Sequence, residues 1–531
     1  MIHRAQATPS RCVAMTALTA LALVAGLIAA IPANADDRVV DAGTFQSALT
    51  AASDNSGPDT ITVAPGIGEI EIGVGLVYQG DEPLTIRGNG ATLVSASEYN
   101  GDLITTTGNA DLTITGLRFR TCDYPACVGT GKALFMEIPA SATGVVEVAL
   151  HDVHVYATGQ HGIHLRDCAE NPGGTGEEEG WCILNDHGSA ASIHLSTQNV
   201  TVTNGGFGEI DQDGIRVDER SEGDIVATFA NTDITHAGGD GIELDEEGDG
   251  DIRVFSNRMA MRDNGAWCAS QEPQCDDPDD GLDVDEYGAG GIYTDLRFSS
   301  ITGTKDEAID VSEHGDGDAV TKLFGTTVAN TDDENLRLKE FGPGSNIFEI
   351  TLSTVSASTG DDGLQAEEED AGNISGHLVL SDIRNNTKDG VKLEESGNGA
   401  ATLTALLTSI ADNSDGIDVS ESGEGNLGIK TTLTESYGNS KDGIAATETG
   451  PGSANLETAL NRITANGDDG IQIAETGDGN LRASMLLSRI ASNGGFWLKL
   501  EHEQPGTWSM QRLLADVYGN DNDNQPSLPA G

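Results

Sequence analysis

Apolar and polar residues alternate in short segments that return about every 27 residues. Each segment follows a glycine, usually within Asp-Gly-Ile, and is apolar at the first and third positions, as at Ile215 and Val217 or Ile471 and Ile473. A period of two is typical of a strand with one buried face. Because no segment of helical period separates the copies, each strand must stack on its own copies, roughly 4.8 Å apart. The pattern predicts an all-β parallel solenoid in which every coil position forms a ladder.

The landmark glycine sets the length of the coils. Most steps between landmarks are 25 to 28 residues, whereas the step from Gly241 to Gly281 is 13 residues longer and the step from Gly162 to Gly214 is 25 residues longer. These two steps predict insertions near 266–278 and 168–187. The landmark positions are Gly214, Gly241, Gly281, Ala308, Asn335, Gly363, Gly390, Gly416, Gly443, Gly470 and Gly495.

The first 35 residues have the features of a secretory signal. Arg4 and Arg11 precede an apolar run over 14–31, and the small residues of 33–35 form a cleavage site. A retained transmembrane helix is the alternative, but no basic stop signal follows. The sequence therefore predicts a secreted or periplasmic chain without a membrane span.

Three N-terminal stretches carry a family resemblance. The segments 44–49 (Thr-Phe-Gln-Ser-Ala-Leu), 59–66 (Asp-Thr-Ile-Thr-Val-Ala-Pro-Gly) and 84–93 resemble the pectate-lyase-like right-handed parallel β-helix superfamily. The resemblance implies a right-handed β-helix with an N-terminal capping helix, but it does not specify an activity, since the superfamily includes lyases, hydrolases, epimerases and adhesins. The expected organisation is a signal over 1–35, an N-terminal cap with first coils over 36–160, regular coils over 161–500, and a C-terminal cap and tail over 501–531.

Charge narrows the choice of partners. Without the signal, 26 basic and 86 acidic residues remain, a formal net charge of −60. A nucleic acid would be repelled, whereas cations and basic or neutral glycan or protein surfaces would not. The sequence leaves the oligomeric state open.

Six cysteines remain after the signal. An even number in an exported chain favours disulfides, and of fifteen possible connectivities the short spacings favour Cys122–Cys127, Cys168–Cys182 and Cys268–Cys275. A thiolate metal site is the alternative, but paired Cys-x-x-Cys spacing is missing.

Two acidic columns run along one side of the predicted solenoid and hold their register over ten coils. The aspartate column, with Glu at some coils, lies immediately before the landmark, and the glutamate column lies five residues after it. At roughly 4.8 Å, neighbouring charges repel by about 3.5 kcal/mol at an effective dielectric of 20, so main-chain amides, raised pKa values or bound cations must offset the repulsion. Under one hypothesis Glu caps its own glycine turn and Asp caps the turn before the strand. Under the other, the columns bind calcium through carboxylate oxygens. The candidate ligands are Asp213, Glu219, Asp240, Glu246, Asp280, Glu286, Asp362, Glu368, Asp389, Glu395, Asp415, Glu421, Asp442, Glu448, Asp469 and Glu475.

Asparagines also recur at one coil position. They lie 23 residues after the landmark and resemble the internal asparagine ladder of the β-helix superfamily, in which stacked amides satisfy one another and the turn backbone. This ladder is structural. Its members are Asn264, Asn386, Asn413, Asn439, Asn466 and Asn493.

An enzyme site is the alternative function. Seven of eleven histidines lie between His151 and His236, and the spacing could bring His161, His164, Asp167 and Asp186 together as an acid/base or metal site. Turn histidines at a coil edge are the simpler interpretation, and no complete catalytic set of a polysaccharide lyase or hydrolase is present. We therefore expect a non-catalytic, calcium-binding, adhesive or ligand-binding solenoid. A carbohydrate-active lyase, hydrolase or epimerase is the alternative.

Overall fold

The chain winds into a parallel β-solenoid of about 17 coils. The computed structural model describes residues 37–167, 188–208, 210–270, 279–503, 506–522 and 526–529. Within these ranges the strands form three parallel sheets of 17, 16 and 15 strands, which we call sheets I, II and III in the order that the coil visits them. The sequence predicted one strand per coil, which lies in sheet III, so the strands of sheets I and II are additional findings.

The three sheets have the following strands. Sheet I consists of Asp37–Val40, Asp59–Val63, Leu84–Arg87, Leu112–Thr115, Thr143–His151, Ala190–Gln198, Ile225–Ala230, Ile252–Asn257, Ile292–Arg297, Ala319–Phe324, Asn346–Thr351, Ile374–Val379, Ala401–Leu406, Leu427–Thr432, Ala454–Ala459, Leu481–Leu486 and Trp508–Leu513. Sheet II consists of Glu69–Ile72, Thr92–Ser95, Arg118–Arg120, His154–Tyr156, Thr201–Thr203, Asp233–Thr235, Ala260–Arg262, Ser300–Thr302, Thr327–Ala329, Thr354–Ser356, Asp382–Arg384, Ser409–Ala411, Glu435–Tyr437, Arg462–Thr464, Arg489–Ala491 and Asp516–Tyr518. Sheet III consists of Leu76–Tyr78, Ile104–Thr106, Leu134–Glu137, Ile163–Arg166, Ile215–Glu219, Ile242–Glu246, Leu282–Glu286, Ile309–Glu313, Leu336–Glu340, Leu364–Glu368, Val391–Glu395, Ile417–Glu421, Ile444–Glu448, Ile471–Glu475 and Lys499–His502.

Strand register confirms the 27-residue coil. Ile215 pairs with Ile163 on one side and Ile242 on the other, and Ile242 pairs with Leu282. Neighbouring coils thus stay in register across the longer steps. The prediction that Gly495 is the last landmark is wrong, however. Gln472 pairs with Lys499, so the position equivalent to Gly470 is occupied by Trp497, a buried side chain, and not by Gly495.

Inward-facing side chains of all three sheets fill one continuous apolar core. Ile, Leu and Val alternate along each strand with outward polar residues, as the period of two requires.

The asparagine ladder is confirmed at one corner: Asn439 Nδ2 donates to Asn466 Oδ1 at 3.0 Å, and the main-chain N–H of Asn439 donates to the same oxygen at 3.2 Å. Asn493 and Asn520 extend this ladder by one coil. Each amide therefore satisfies its neighbour inside the turn.

Two helices accompany the strands in the described residues, Phe45–Ser53 and Ala266–Ser270. The first lies where the sequence predicted a helix and buries Phe45 and Leu49. Its role as a cap and the right-handed sense of the coil stay predictions. At the other end, Trp508–Leu513 and Asp516–Tyr518 continue sheets I and II. The domain limits also stay predictions.

The export signal and most cysteines lie outside the described residues. Cys122 and Cys127 are brought together, with 1.98 Å between their sulfurs. The pairs Cys168–Cys182 and Cys268–Cys275 involve side chains outside the described ranges and stay predictions. No helix among the described residues is long and apolar enough to span a membrane.

Candidate cation and histidine site

The aspartate column caps the neighbouring coil. Oδ1 of Asp415 accepts the main-chain N–H of Asp442 at 2.8 Å, and Oδ1 of Asp442 accepts that of Asp469 at 2.7 Å. The same bond joins Asp213 to Asp240 at 2.9 Å. Each carboxylate therefore fixes the next coil and not its own turn, which refines the capping hypothesis. One oxygen of each side chain is used in this way, and the second can make other contacts, as when Oδ2 of Asp415 accepts from Nζ of Lys441 at 3.2 Å.

The glutamate column is buried inside the solenoid, and not exposed along its side as the ladder pattern suggested. The fifth position after the landmark has the same parity as the first and third, so the side chain points inward. Most of these carboxylates accept the N–H of a glycine two residues later, as in Glu395 with Gly397 at 3.0 Å and Glu313 with Gly315 at 2.8 Å, and Glu219 accepts that of Ser221 in the same way at 2.9 Å. This confirms the hypothesis that Glu caps its own turn.

Neighbouring glutamates of this column lie close enough for their carboxyl groups to affect one another's pKa. Oε2 of Glu395 and Oε2 of Glu421 find no hydrogen-bond partner among the described residues if both groups are ionised, yet the two carboxyls lie within hydrogen-bonding reach of each other. Burial, followed by these carboxyl neighbours, raises the pKa of Glu395 and Glu421 to about 7 and that of Glu313 to about 10. Protons or cations must therefore offset the column's charge at neutral pH.

Carboxylates converge on the outer face of sheet III. Oxygens of Asp240, Glu243 and Asp283 lie within 4.8 Å of one another, and Asp283 also joins Asp280 and Asp310 in a second such group. The next coil adds Glu307 through a group with Asp280. We call the following six residues the acidic cluster: Asp240, Glu243, Asp280, Asp283, Glu307 and Asp310. All of the ligand atoms are oxygens, the donors that calcium prefers, so the residues fit a hard cation.

Burial and mutual repulsion work against ionisation of this cluster. Desolvation and then the nearby carboxylates raise the pKa of Asp240 and Asp280 well above the ordinary value, and burial with Glu307 raises that of Asp310 to about 6. Oδ1 of Asp280 is buried and finds no hydrogen-bond partner in the described part of the chain. A bound cation would supply the missing partner and hold the carboxylates ionised.

His161 and His164 lie together, as the sequence predicted. Their ring centroids are 4.6 Å apart and both side chains are fully buried. His161 Nδ1 accepts the main-chain N–H of Asp213 at 2.9 Å. Burial holds the pKa of both rings well below the ordinary value of histidine, so both rings are neutral at pH 7.

Asp218 and Arg216 connect the histidines to the acidic cluster. Nε2 of His164 lies 2.6 Å from Oδ2 of Asp218, and Nε of Arg216 donates to Oδ1 of Asp218 at 2.7 Å. Arg216 also donates to Glu243, a member of the cluster. Burial alone would raise the pKa of Asp218, but Arg216 and His164 hold it well below its usual range. Asp218 is thus an ionised acceptor that orients the His164 ring.

Asp167 does not join the histidine pair. Its carboxylate accepts the main-chain N–H groups of Ser189 at 2.6 Å and Arg220 at 3.1 Å, and it interacts with Glu219 at the head of the glutamate column. Asp186 lies outside the described residues. The sequence missed Arg216 and Asp218, although they lie two and four residues after the landmark Gly214. The same offsets from Gly162 give His164 and Arg166, which pair with Arg216 and Asp218 in register.

Comparisons with known proteins add no functional assignment. No family model and no curated protein matches this sequence. Among solved structures, a mutant of the periplasmic alginate epimerase AlgG is 12% identical with a TM-score of 0.38, covering 72% of this chain and 76% of its own. The A-module of the Azotobacter vinelandii mannuronan C-5 epimerase AlgE6 is 12% identical with a TM-score of 0.27, covering 91% and 96%. The pre-mature gene product 12 of bacteriophage phi29 is 13% identical with a TM-score of 0.42, covering 92% and 71%. At these scores the likenesses carry no argument for an activity.

Proposed function

We propose that this chain is an exported, acidic β-helix protein that binds divalent cations, calcium foremost, at the acidic cluster. The observation that carries the proposal is the pair of carboxylate groups that share Asp283. Oxygens within 4.8 Å of one another can all reach one ion at calcium–oxygen distances of about 2.3–2.6 Å. The long, rigid sheets around this site would then present a surface for adhesion or for a neutral or basic ligand.

The cluster fits a cation site better than the two full columns that the sequence suggested. The glutamate column is turned inward, where glycine amides and neighbouring carboxyls occupy its oxygens. The later members of the aspartate column cap the next coil. Two members of the aspartate column, Asp240 and Asp280, combine with outward acids of sheet III in the groups that could hold an ion. Glu307 joins them through its group with Asp280. We therefore expect few calcium sites and not one per coil.

Calorimetric titration with calcium tests this proposal. Asp283→Asn removes one charge from both carboxylate groups and should weaken calcium binding at least tenfold, with a smaller rise of the melting temperature in calcium. Glu457→Gln is the control, because Glu457 is an exposed acid on sheet I. Equal affinity and stoichiometry in the parent chain and Asp283→Asn would contradict the site, and no calcium binding by the parent would contradict the function.

A carbohydrate-active enzyme is the second candidate function, favoured by the His164–Asp218 contact. A carboxylate that accepts Nε2–H leaves the Nδ1 lone pair as a base, and Nδ1 of His164 has no hydrogen-bond partner among the described residues. Both rings are buried, so a polymer would have to displace the side chains that cover them. For this reason the cation-binding function ranks first.

Turnover on a panel of neutral and uronic-acid polysaccharides, with and without calcium, tests the second candidate. His164→Gln should abolish lyase, hydrolase or epimerase turnover. His194→Gln, at a half-buried histidine of sheet I, should retain it. The absence of turnover by the parent chain on the whole panel would rule against an enzyme of this class.

A further inference from the structure

A file of leucines with left-handed backbone conformation lies between sheets I and II. Their φ angles are 50° to 58°, and the main-chain N–H of the first six donates across to the next coil, as that of Leu433 does to the carbonyl of Ala459 at 3.0 Å. We call this file the leucine ridge. It consists of Leu352, Leu380, Leu407, Leu433, Leu460, Leu487 and Leu514.

Leucine is an unfavourable residue for this backbone position. The left-handed conformation costs a residue with a Cβ roughly 1–2 kcal/mol, and glycine, asparagine and aspartate are the residues that usually adopt it. Earlier coils place Gly116, Asp152, Asn199 and Asn231 in the same column, joined by the same cross-coil hydrogen bonds. Folding of the turn therefore does not require leucine, and another role must favour seven leucines in succession.

The ridge is exposed and continuous. Its side chains are between 45% and 75% exposed, and Leu406, Leu486 and Leu513 widen it on the sheet I side. Six steps of roughly 4.8 Å give a length of about 29 Å. A contiguous apolar strip of this kind on a charged protein marks an interaction surface.

Charge near the ridge differs from the rest of the molecule. The whole chain has a formal net charge of −58. In contrast, the fourteen strands that flank the ridge are nearly neutral, with six basic and five acidic residues. These are Arg384, Lys430, Arg462, Arg482, Arg489 and Arg512 against Glu349, Asp382, Glu435, Glu457 and Asp516.

We propose that the leucine ridge is a self-association surface on which a second copy of this chain docks. Two copies related by a twofold axis would pack two ladders of identical spacing against each other. The near-neutral flanks let two strongly acidic molecules approach there, whereas an anionic lipid surface would repel this chain. The six-residue strands of sheet I and the leucine turn that follows them span about 25 Å at roughly 3.3 Å per residue. With a length of about 29 Å, this strip has an area of roughly 700 Å², close to the ~800 Å² per partner of a stable interface.

Sedimentation velocity on the purified full chain over a range of concentrations tests the proposal. The parent chain should sediment as a dimer. Added salt should raise the affinity between the two copies, because it screens their electrostatic repulsion. The triple variant Leu407→Asn, Leu433→Asn, Leu460→Asn should sediment as a monomer with an unchanged or higher melting temperature, since Asn199 and Asn231 already occupy this column. Val39→Asn combined with Val74→Asn removes two exposed apolar side chains away from the ridge and should leave the dimer intact.

Each outcome decides the proposal. Monomeric parent chain at every concentration and salt level overturns it, and so does a dimer that persists in the folded triple variant, because the interface then lies elsewhere. Binding of a monomeric parent to neutral lipid vesicles or to an insoluble neutral polysaccharide, lost in the triple variant, also overturns it and identifies a different occupant. A dimer lost only in the triple variant supports it.

Discussion

Glu395 and Gly397 form a closed turn inside the solenoid. Oε1 of Glu395 accepts the N–H of Gly397 at 3.0 Å, while Oε2 faces the neighbouring carboxyls without a hydrogen-bond donor when those are ionised. The contact between Glu and Gly recurs along sheet III, for example at Glu340 with Gly342 and at Glu475 with Gly477. The fold thus contains a buried column of carboxyls whose protonation is coupled to its stability.

Stability of the fold should fall as the pH rises through neutrality. The pKa of Glu340, Glu368, Glu395 and Glu421 is raised to about 7, chiefly by burial, from an ordinary value of 4.5. A raised folded-state pKa stabilises the protein fully below pH 4.5, and this stabilisation is lost as the pH rises through 7. Thermal melts in chelator should therefore show a lower melting temperature at pH 8 than at pH 5.5. A flat or rising profile would contradict the coupling.

Glu395→Gln serves as the matched variant for this pH dependence. Glutamine keeps an acceptor for Gly397, and its amide donates to a neighbouring carboxylate, so the variant should lose less stability than the parent between pH 5.5 and 8. Calcium binding measured by calorimetry should not change, because the acidic cluster is elsewhere. A weaker calcium affinity in Glu395→Gln would show that the glutamate column itself holds cations.

The glycines in the turns between sheet III and sheet I should tolerate no side chain. A Cβ on Gly425 would lie 1.3 Å from the carbonyl oxygen of Gly399 in the neighbouring coil, so Gly425→Ala must push two coils apart. We expect it to lower the free energy of unfolding by about 3 kcal/mol or more. Gly68→Ala is the control, since nothing lies within 4 Å of its Cβ position. Denaturant titration that finds both variants equally stable would show that the coils can separate locally.

The sequence predicted the repeat because a single strand per coil carries a strict period of two. The strands of sheet I could not be predicted because the polarity of their outward residues varies, as in Ala454–Ala459. The three-residue strands of sheet II are too short to show a period of two. The inward direction of the glutamate column could have been predicted from parity alone. Carboxylates are rarely buried without partners, so the acidic column by itself suggests an exposed position.

The candidate site was only partly accessible to sequence reasoning. The departure of His161 and His164 from the repeat identifies them. Asp218 has no such signal, because its offset from Gly214 places it opposite Arg166, and it reaches His164 only diagonally across the ladder. The contact between Arg216 and Glu243 depends on side-chain directions in adjacent coils. The repeat shows which residues occupy equivalent positions in adjacent coils. It does not show which of their side chains make contact.

Loss of one asparagine amide should weaken the internal ladder at two coils. Asn439 Oδ1 accepts the main-chain N–H of Asn413 at 3.1 Å, and Asn439 Nδ2 donates to Asn466 Oδ1 at 3.0 Å. In Asn439→Ala a buried N–H and a buried carbonyl oxygen lose partners, so we expect the free energy of unfolding to fall by about 2–4 kcal/mol. Asn426→Ala provides the comparison, because Asn426 Oδ1 accepts the N–H of Ser453 at an exposed turn and its loss should cost under about 1 kcal/mol. Denaturant titrations of the two variants measure the difference. Equal losses would mean that water enters the corner and replaces the amide, in which case the ladder orders the turn without stabilising it.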